Sequence, residues 1–179
     1  MLEDLNRSQL EIEFNEDDHT YTLKSDPGIE FNSCTTFIGS FFEPFDEVKI
    51  ATNLVNNHFK YRDYTVESLI AEWHARRDAG TAAHSEIQAY IENEESPALR
   101  KAKHAVAWFE NYRERQGPGW TYLSEFIVYD TDSRLMGMID LVAFNEAEKT
   151  AVLLDWKTSR KIERTSYREK CGTSPPSAQ

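Results

Sequence analysis

Asp155 and Lys157 stand two residues apart at the end of the apolar run Ala151-Val152-Leu153-Leu154. The run reads as a buried strand, on which successive side chains alternate faces. The carboxylate and the ammonium therefore project to one side and Trp156 to the other. Such charges are costly to bury unless they are paired or bind an ion. Two further carboxylates, Glu125 and Asp140, lie on neighbouring stretches. Residues 121–130, 135–144 and 150–157 read as three strands. Their separators, Thr131-Asp132-Ser133-Arg134 and Asn145-Glu146-Ala147-Glu148-Lys149, have turn-like compositions. With symmetric turns and no bulge, Glu125 lies opposite Asp140, and Asp140 opposite Asp155. The three carboxylates then form one row across a sheet, with Lys157 beside it. Like charges directly opposite one another destabilise a sheet, so the row implies a bound divalent cation. A slip of one residue would turn one carboxylate to the other face.

The elements that must position this row come earlier in the chain. Alternating apolar and polar residues over 10–14 and 19–23, then 29–31, read as a small antiparallel meander, with turns at Asn15-Glu16-Asp17-Asp18 and Asp26-Pro27-Gly28. Ser33 is a helix N-cap, with a helix over 35–42 that Pro44 interrupts. A second helix covers 46–58, with Val48, Ala51, Leu54 and Val55 on one face. Phe37, Phe41, Phe42 and Phe45 have two readings, a base-stacking platform or core packing, and core packing is favoured. A helix over 66–79 is followed by Gly80, which kinks it or marks close packing. A helix over 82–92 has an apolar face of Ala83, Ile87, Tyr90 and Ile91. Another starts at Ser96-Pro97 and runs to Arg115, with Val106, Phe109 and Tyr112 inward. Gln116-Gly117-Pro118-Gly119 ends it.

The chain has 179 residues, enough for one domain with a real core, and 40% hydrophobic residues. No apolar run approaches the ~18 residues of a membrane helix, so no membrane partner is expected. The first residues lack the basic and apolar regions of a secretory signal. Cys34 and Cys171 match no zinc pattern, which makes an intracellular, reducing location the expectation. Two cysteines also cannot ligate an iron–sulfur cluster, which takes about four. The net charge of −11, from 31 acidic and 20 basic residues, counts against a protein that coats nucleic acid for affinity. It leaves room for an enzyme whose basic residues line one groove.

The pattern Glu125, Gly137-x-x-Asp140, Asp155-x-Lys157 resembles the PD-(D/E)XK nuclease superfamily. Arg77-x-x-Gly80-Thr81-x-x-His84-x-x-Ile87 resembles its RecB-like branch, which includes CRISPR-associated RecB-like nucleases and the mitochondrial genome maintenance exonuclease. The resemblance spans residues 70–160. It implies an α/β (α+β) fold with a restriction-endonuclease-like core, a mixed sheet flanked by helices. The division it suggests is an N-terminal β-meander over 1–32, the nuclease core over 33–165 and a flexible tail over 166–179. It also implies a metal-dependent deoxyribonuclease, an exonuclease acting on single strands or DNA ends in recombination or repair. The setting would be intracellular, host cytoplasm or nucleoid for a phage or viral chain, with an organelle as a further option.

The expected cofactor is Mg²⁺ or Mn²⁺, one or two ions, bound by hard oxygen donors. Asp140 and Asp155 are the candidate direct ligands. Glu125 binds a second ion or orients a water, and Lys157 stabilises the nucleophile or the developing phosphorane charge. By resemblance, His84 is a further ligand, one that suits Mn²⁺ better than Mg²⁺, and so is the backbone carbonyl of Trp156. Gln88 stands where many relatives carry glutamate, and it either holds a metal-bound water or does nothing. Arg77 and Thr81 either contact phosphate or cap and pack their helix. Thr158, Ser159 and Arg160 either contact phosphate or form a solvated polar run. Relatives usually continue into a helix with a Gln-x-x-x-Tyr pattern, which nothing here matches. The C-terminal part of the core would then be missing, or supplied by a further segment or a partner protein. The competing expectation is a catalytically silent nuclease-like module for binding or assembly.

Overall fold

The computed structural model describes residues 11–15 and 20–159. Leu10, His19, Arg160, Cys171 and the tail over 166–179 lie outside the described residues. Among the described residues, six strands form one mixed sheet. Strands β1 (Ile12–Asn15), β2 (Thr20–Leu23) and β3 (Asp26–Ser33) make the expected antiparallel meander. β3 is longer than its apolar core suggests. It takes in Asp26-Pro27-Gly28, and the turn falls one step earlier, at Lys24 and Ser25. β4 (Trp120–Asp130) and β5 (Leu135–Asn145) form a long antiparallel hairpin, and β6 (Thr150–Leu154) pairs antiparallel with β5. β3 meets β5 in parallel through Asn32↔Leu135 and Ser33↔Met136.

A strand has two edges. β4 takes one edge of β5 along its length, so β3 and β6 share the other, β3 at Leu135–Met136 and β6 from Leu141 onward. The stretch Gly137-Met138-Ile139-Asp140 falls in the gap between them, where no strand among the described residues pairs with β5 on that side. Within the sheet the meander is tied to the β4–β5 hairpin through a cluster of Ile12, Leu23, Phe31 and Met136, with Ile127 and Tyr129 against it. Central strand β5 is buried at every residue from Leu141 to Asn145, as expected for a strand covered on both faces.

Among the helices, α1 (Cys34–Gly39) is capped by Ser33, whose side chain accepts from the Thr36 N–H. α2 (Glu47–Asn57) is capped by Asp46 and buries Ala51. A short 3₁₀ turn follows at Phe59–Tyr61. The two helices expected over 66–79 and 82–92 are one, α3 (Val66–Asn93), of 28 residues. It starts at a capping box in which Thr65 and Ser68 satisfy each other's backbone N–H groups. It passes through Gly80 unbroken, so the rest of the helix outweighs glycine's helix penalty of about 1 kcal/mol. A Cβ at Gly80 would stand 3.0 Å from Thr158 Oγ1. The close-packing reading of Gly80 is therefore the one that holds.

α4 (Arg100–Gln116) begins at N-cap Leu99, after Ser96-Pro97 rather than on it. The Glu86 carboxylate accepts from the N–H groups of Ala98 and Leu99 and fixes the entry to α4. Val106, Phe109 and Tyr112 are buried as expected, and the Phe109 ring meets Tyr122 of β4 edge-on at 5.1 Å. The aromatic cluster near α1 contradicts the core-packing reading. Phe41, Phe42 and Phe45 are 71%, 70% and 68% exposed. α1 is a six-residue helix with no buried residue, too short to fold these rings under another element. No helix among the described residues is long and apolar enough to cross a membrane.

Candidate metal centre

Asp140 sits on β5 at the gap between β3 and β6, and Glu125 sits on the β4 rung facing it. The β4–β5 ladder keeps one register on both sides of that rung, with Ser124↔Leu141 before it and Phe126↔Ile139 after it. The expected opposition of Glu125 and Asp140 thus holds in register. Glu125 itself drops out of the ladder, with φ +47°, a left-handed conformation that non-glycine residues rarely hold.

His84 arrives from the middle of α3. Its Nδ1 lies 3.7 Å from Asp140 Oδ2, with the two side chains 30% and 17% exposed. One ligand atom each from His84, Glu125 and Asp140 all fall within 4.8 Å of one another, and all three residues are half-buried. A nitrogen and two carboxylates in that space suit a divalent cation, and three protein ligands leave room for water. Burial pushes the Glu125 carboxyl above its ordinary range, the Asp140 charge pushes it further, and His84 draws it partly back. The Trp156 backbone N–H donates to Asp140 Oδ2 at 2.6 Å, which holds that carboxylate in orientation. Trp156 thus reaches the site through its N–H, although the expectation placed its carbonyl there.

Asp155 does not join this group. The β5–β6 register does point Asp155 at Asp140, since Leu141↔Leu154 is the last rung. The strand stops at Leu154, however, one residue short of the row and three short of the expected end at 157. Beyond it the Trp156 N–H turns in to Asp140, and the Asp155 carboxylate pairs with Lys157 Nζ at 2.6 Å, the two side chains 57% and 59% exposed. That hydrogen bond raises the Lys157 pKa, so the ammonium stays charged. The expected row of three carboxylates is therefore a pair plus His84, with Asp155 and Lys157 as a separate ion pair.

Most of the candidate substrate-binding residues do gather. Arg77, Gly80, Thr81, His84, Ser85, Gln88 and Glu125 line one open cleft of about 420 Å³. On α3, positions 77, 80, 81, 84 and 88 fall on one face by helical spacing. Gln88 donates to Glu92 at 3.0 Å, and Thr81 Oγ1 lies 3.4 Å from the Arg77 carbonyl. Thr158 and Ser159 line a neighbouring hollow with Arg76, Arg77 and Lys101. Lys101, His104 and Trp108 carry no motif, but their spacing on α4 puts them on one face. That spacing, an imidazole four and a cation seven residues before an indole with an inward apolar face opposite, is the signal that finds them. No protein-family model matches the chain, and no curated protein and no solved structure matches it either.

Proposed function

We propose that the chain is a divalent-metal-dependent nuclease that hydrolyses DNA phosphodiester bonds. The observation that supports this most is the meeting of His84, from a helix, with Glu125 and Asp140, from two strands, within 4.8 Å. Residues so far apart in sequence converge with a donor set fitted to Mg²⁺ or, given the imidazole, Mn²⁺. The PD-(D/E)XK reading of the core, and action on single strands or ends in recombination or repair, rest on the resemblance to the RecB-like branch.

In this reading His84, Glu125 and Asp140 would hold the ion, and the Trp156 N–H, which donates to Asp140 Oδ2, would keep that carboxylate oriented. An ion held there would supply Lewis-acid charge for the phosphate and make a water nucleophilic near neutral pH. Arg77 and Thr81 at the cleft wall bind and orient the phosphate backbone. Lys157, kept protonated by Asp155, supplies a fixed positive charge for the phosphate as negative charge builds on it. Asp155 acts here by positioning Lys157.

The test is degradation of labelled single-stranded DNA with Mg²⁺ or Mn²⁺. Asp140→Asn and His84→Ala are expected to lower the rate by about 10²-fold or more, and Lys157→Ala by about 10²-fold. Unchanged cleavage by Asp140→Asn refutes the assignment. One observation favours the second reading, a silent binding or assembly module: Asp155 and Lys157 are tied to each other, exposed and outside the ligand group. Mn²⁺ bound by the folded chain raises Tm by mass action. A chain with neither that rise nor cleavage belongs to the second reading.

A further inference from the structure

Two more hollows adjoin the cleft, and together they have the chemistry of a single-stranded nucleic acid. Arg77 lines the cleft and also the hollow beside it, which Arg76, Lys101, Thr158 and Ser159 complete. Lys101, Thr158 and Ser159 in turn border a third hollow of about 610 Å³, walled by His104, Trp108 and Trp156. In a chain of net charge −11, this path gathers Arg76, Arg77, Lys101 and Lys157. Three of these cations have carboxylate partners: Arg76 with Glu72, Arg77 with Asp78 and Lys157 with Asp155. Exposed pairs of this kind are worth little, so a phosphate can replace the carboxylate. Lys101 is held by a neutral group, the Thr158 carbonyl, at 2.6 Å.

The third hollow adds an aromatic surface. Trp108 stacks on Tyr112 with centroids 5.2 Å apart and planes 10° from parallel, and it meets Trp156 edge-on at 5.7 Å. The indole is nonetheless 43% exposed. Single exposed apolar residues are ordinary. This one is held from two sides, opens into a cavity and is flanked by Lys101 and His104. A pre-ordered aromatic plane beside the Lys101 ammonium suits a base whose phosphates lie alongside, and stacking of that sort tolerates any sequence.

We propose that Trp108 stacks a base of a single-stranded nucleic acid whose backbone runs past Lys101, Arg76 and Arg77 into the cleft. The proposal takes its substrate class from the nuclease reading. Its test is binding of a fluorescently labelled oligothymidylate of about 12 nucleotides to the full chain in a chelator, read by anisotropy. Trp108→Ala is expected to weaken binding about tenfold, whereas Trp108→Phe, which keeps a stacking ring, stays within about threefold. On the wild type, a strand of the same length with abasic sites across its centre is expected to bind about tenfold more weakly, independently of how any variant folds.

Equal affinity of the wild type for abasic and intact strands overturns the proposal. So does a Trp108→Ala variant that binds the intact strand like the wild type, or a wild type that binds neither. Metal-dependent cleavage without Trp108-dependent binding overturns the track and leaves the nuclease reading standing. Trp108-dependent binding without cleavage supports the track and overturns the nuclease reading.

Discussion

Glu125 has φ +47° in the middle of a strand, and the ladder passes it by while holding one register on either side. A non-glycine residue in that region costs about 1 kcal/mol or more. Its carboxylate is also half-buried beside Asp140, and burial followed by the Asp140 charge raises its pKa. A carboxyl whose folded pKa is raised costs the fold stability as pH climbs from the ordinary value, 4.5, through the raised one. The cost is full above that window and absent below it. Glu125→Gln removes the charge and keeps the shape. In a chelator at neutral pH the variant is expected to melt a few degrees above the wild type, about what 1 kcal/mol does in a chain of this size. The advantage vanishes near pH 4, and added Mn²⁺ raises Tm more in the wild type than in the variant. Thermal melts at two pH values check all three, and a variant less stable than the wild type in chelator would show that the site carries no charge repulsion. The opposition of Glu125 and Asp140 was legible in the sequence because both turns are symmetric, so register follows from counting. The left-handed φ was not, since nothing in the local residue types demands it.

At the scale of elements, α3 carries one wall of the site, and Gly80 decides how near the chain after β6 can come to it. Thr158 Oγ1 would stand 3.0 Å from an added Cβ, a contact that moves the hydroxyl by a few tenths of an ångström. The Thr158 carbonyl in turn receives Lys101 of α4, so the same shift loosens the junction between the two helices and the strand end. Gly80→Ala therefore sets helix propensity against site geometry. Stability is expected to stay level or rise by up to about 1 kcal/mol. Cleavage is expected to fall about tenfold, because misplacing a positioning group by a fraction of an ångström is costly to rate. Urea melts and rate measurements on the same variant check the split, and a proportionate loss of both would show that Gly80 serves the core alone. The sequence showed glycine at this place with two readings, and only the packing chose between them. It misplaced the end of β6 for a related reason. Apolar patterning stops at Leu154, whereas Asp155 and Lys157 looked like strand residues because their spacing matched an alternation. The phenylalanines around α1 were misread because apolar identity says that a ring gains from burial. Whether a neighbouring element is long enough to bury it is a matter of tertiary structure.

For the whole molecule, a net charge of −11 and the proposed nucleic-acid substrate pull against each other, and the layout of charge reduces the conflict. Composition alone pointed away from nucleic acid, since a total carries no information about where the charges lie. The hollows leading from the cleft place Arg76, Arg77 and Lys101 in succession, while Arg76, Arg77 and Lys157 each face a carboxylate partner of their own. Long-range attraction is then weak, and the proposed binding would draw on a few local phosphate contacts plus stacking. Counterion release makes this measurable. For a single strand, log K falls with log[salt] at about −0.7 per phosphate neutralised, so three contacts give a slope of about −2. Affinity of the same oligothymidylate measured over a series of potassium chloride concentrations, with chelator throughout, is expected to show that shallow slope, and Lys101→Ala is expected to reduce it by about 0.7. A slope near −5 would require about seven phosphates, more than these hollows can serve, and would move the interface to another face. A slope near zero would leave stacking as the sole attraction and remove the phosphate path from the account.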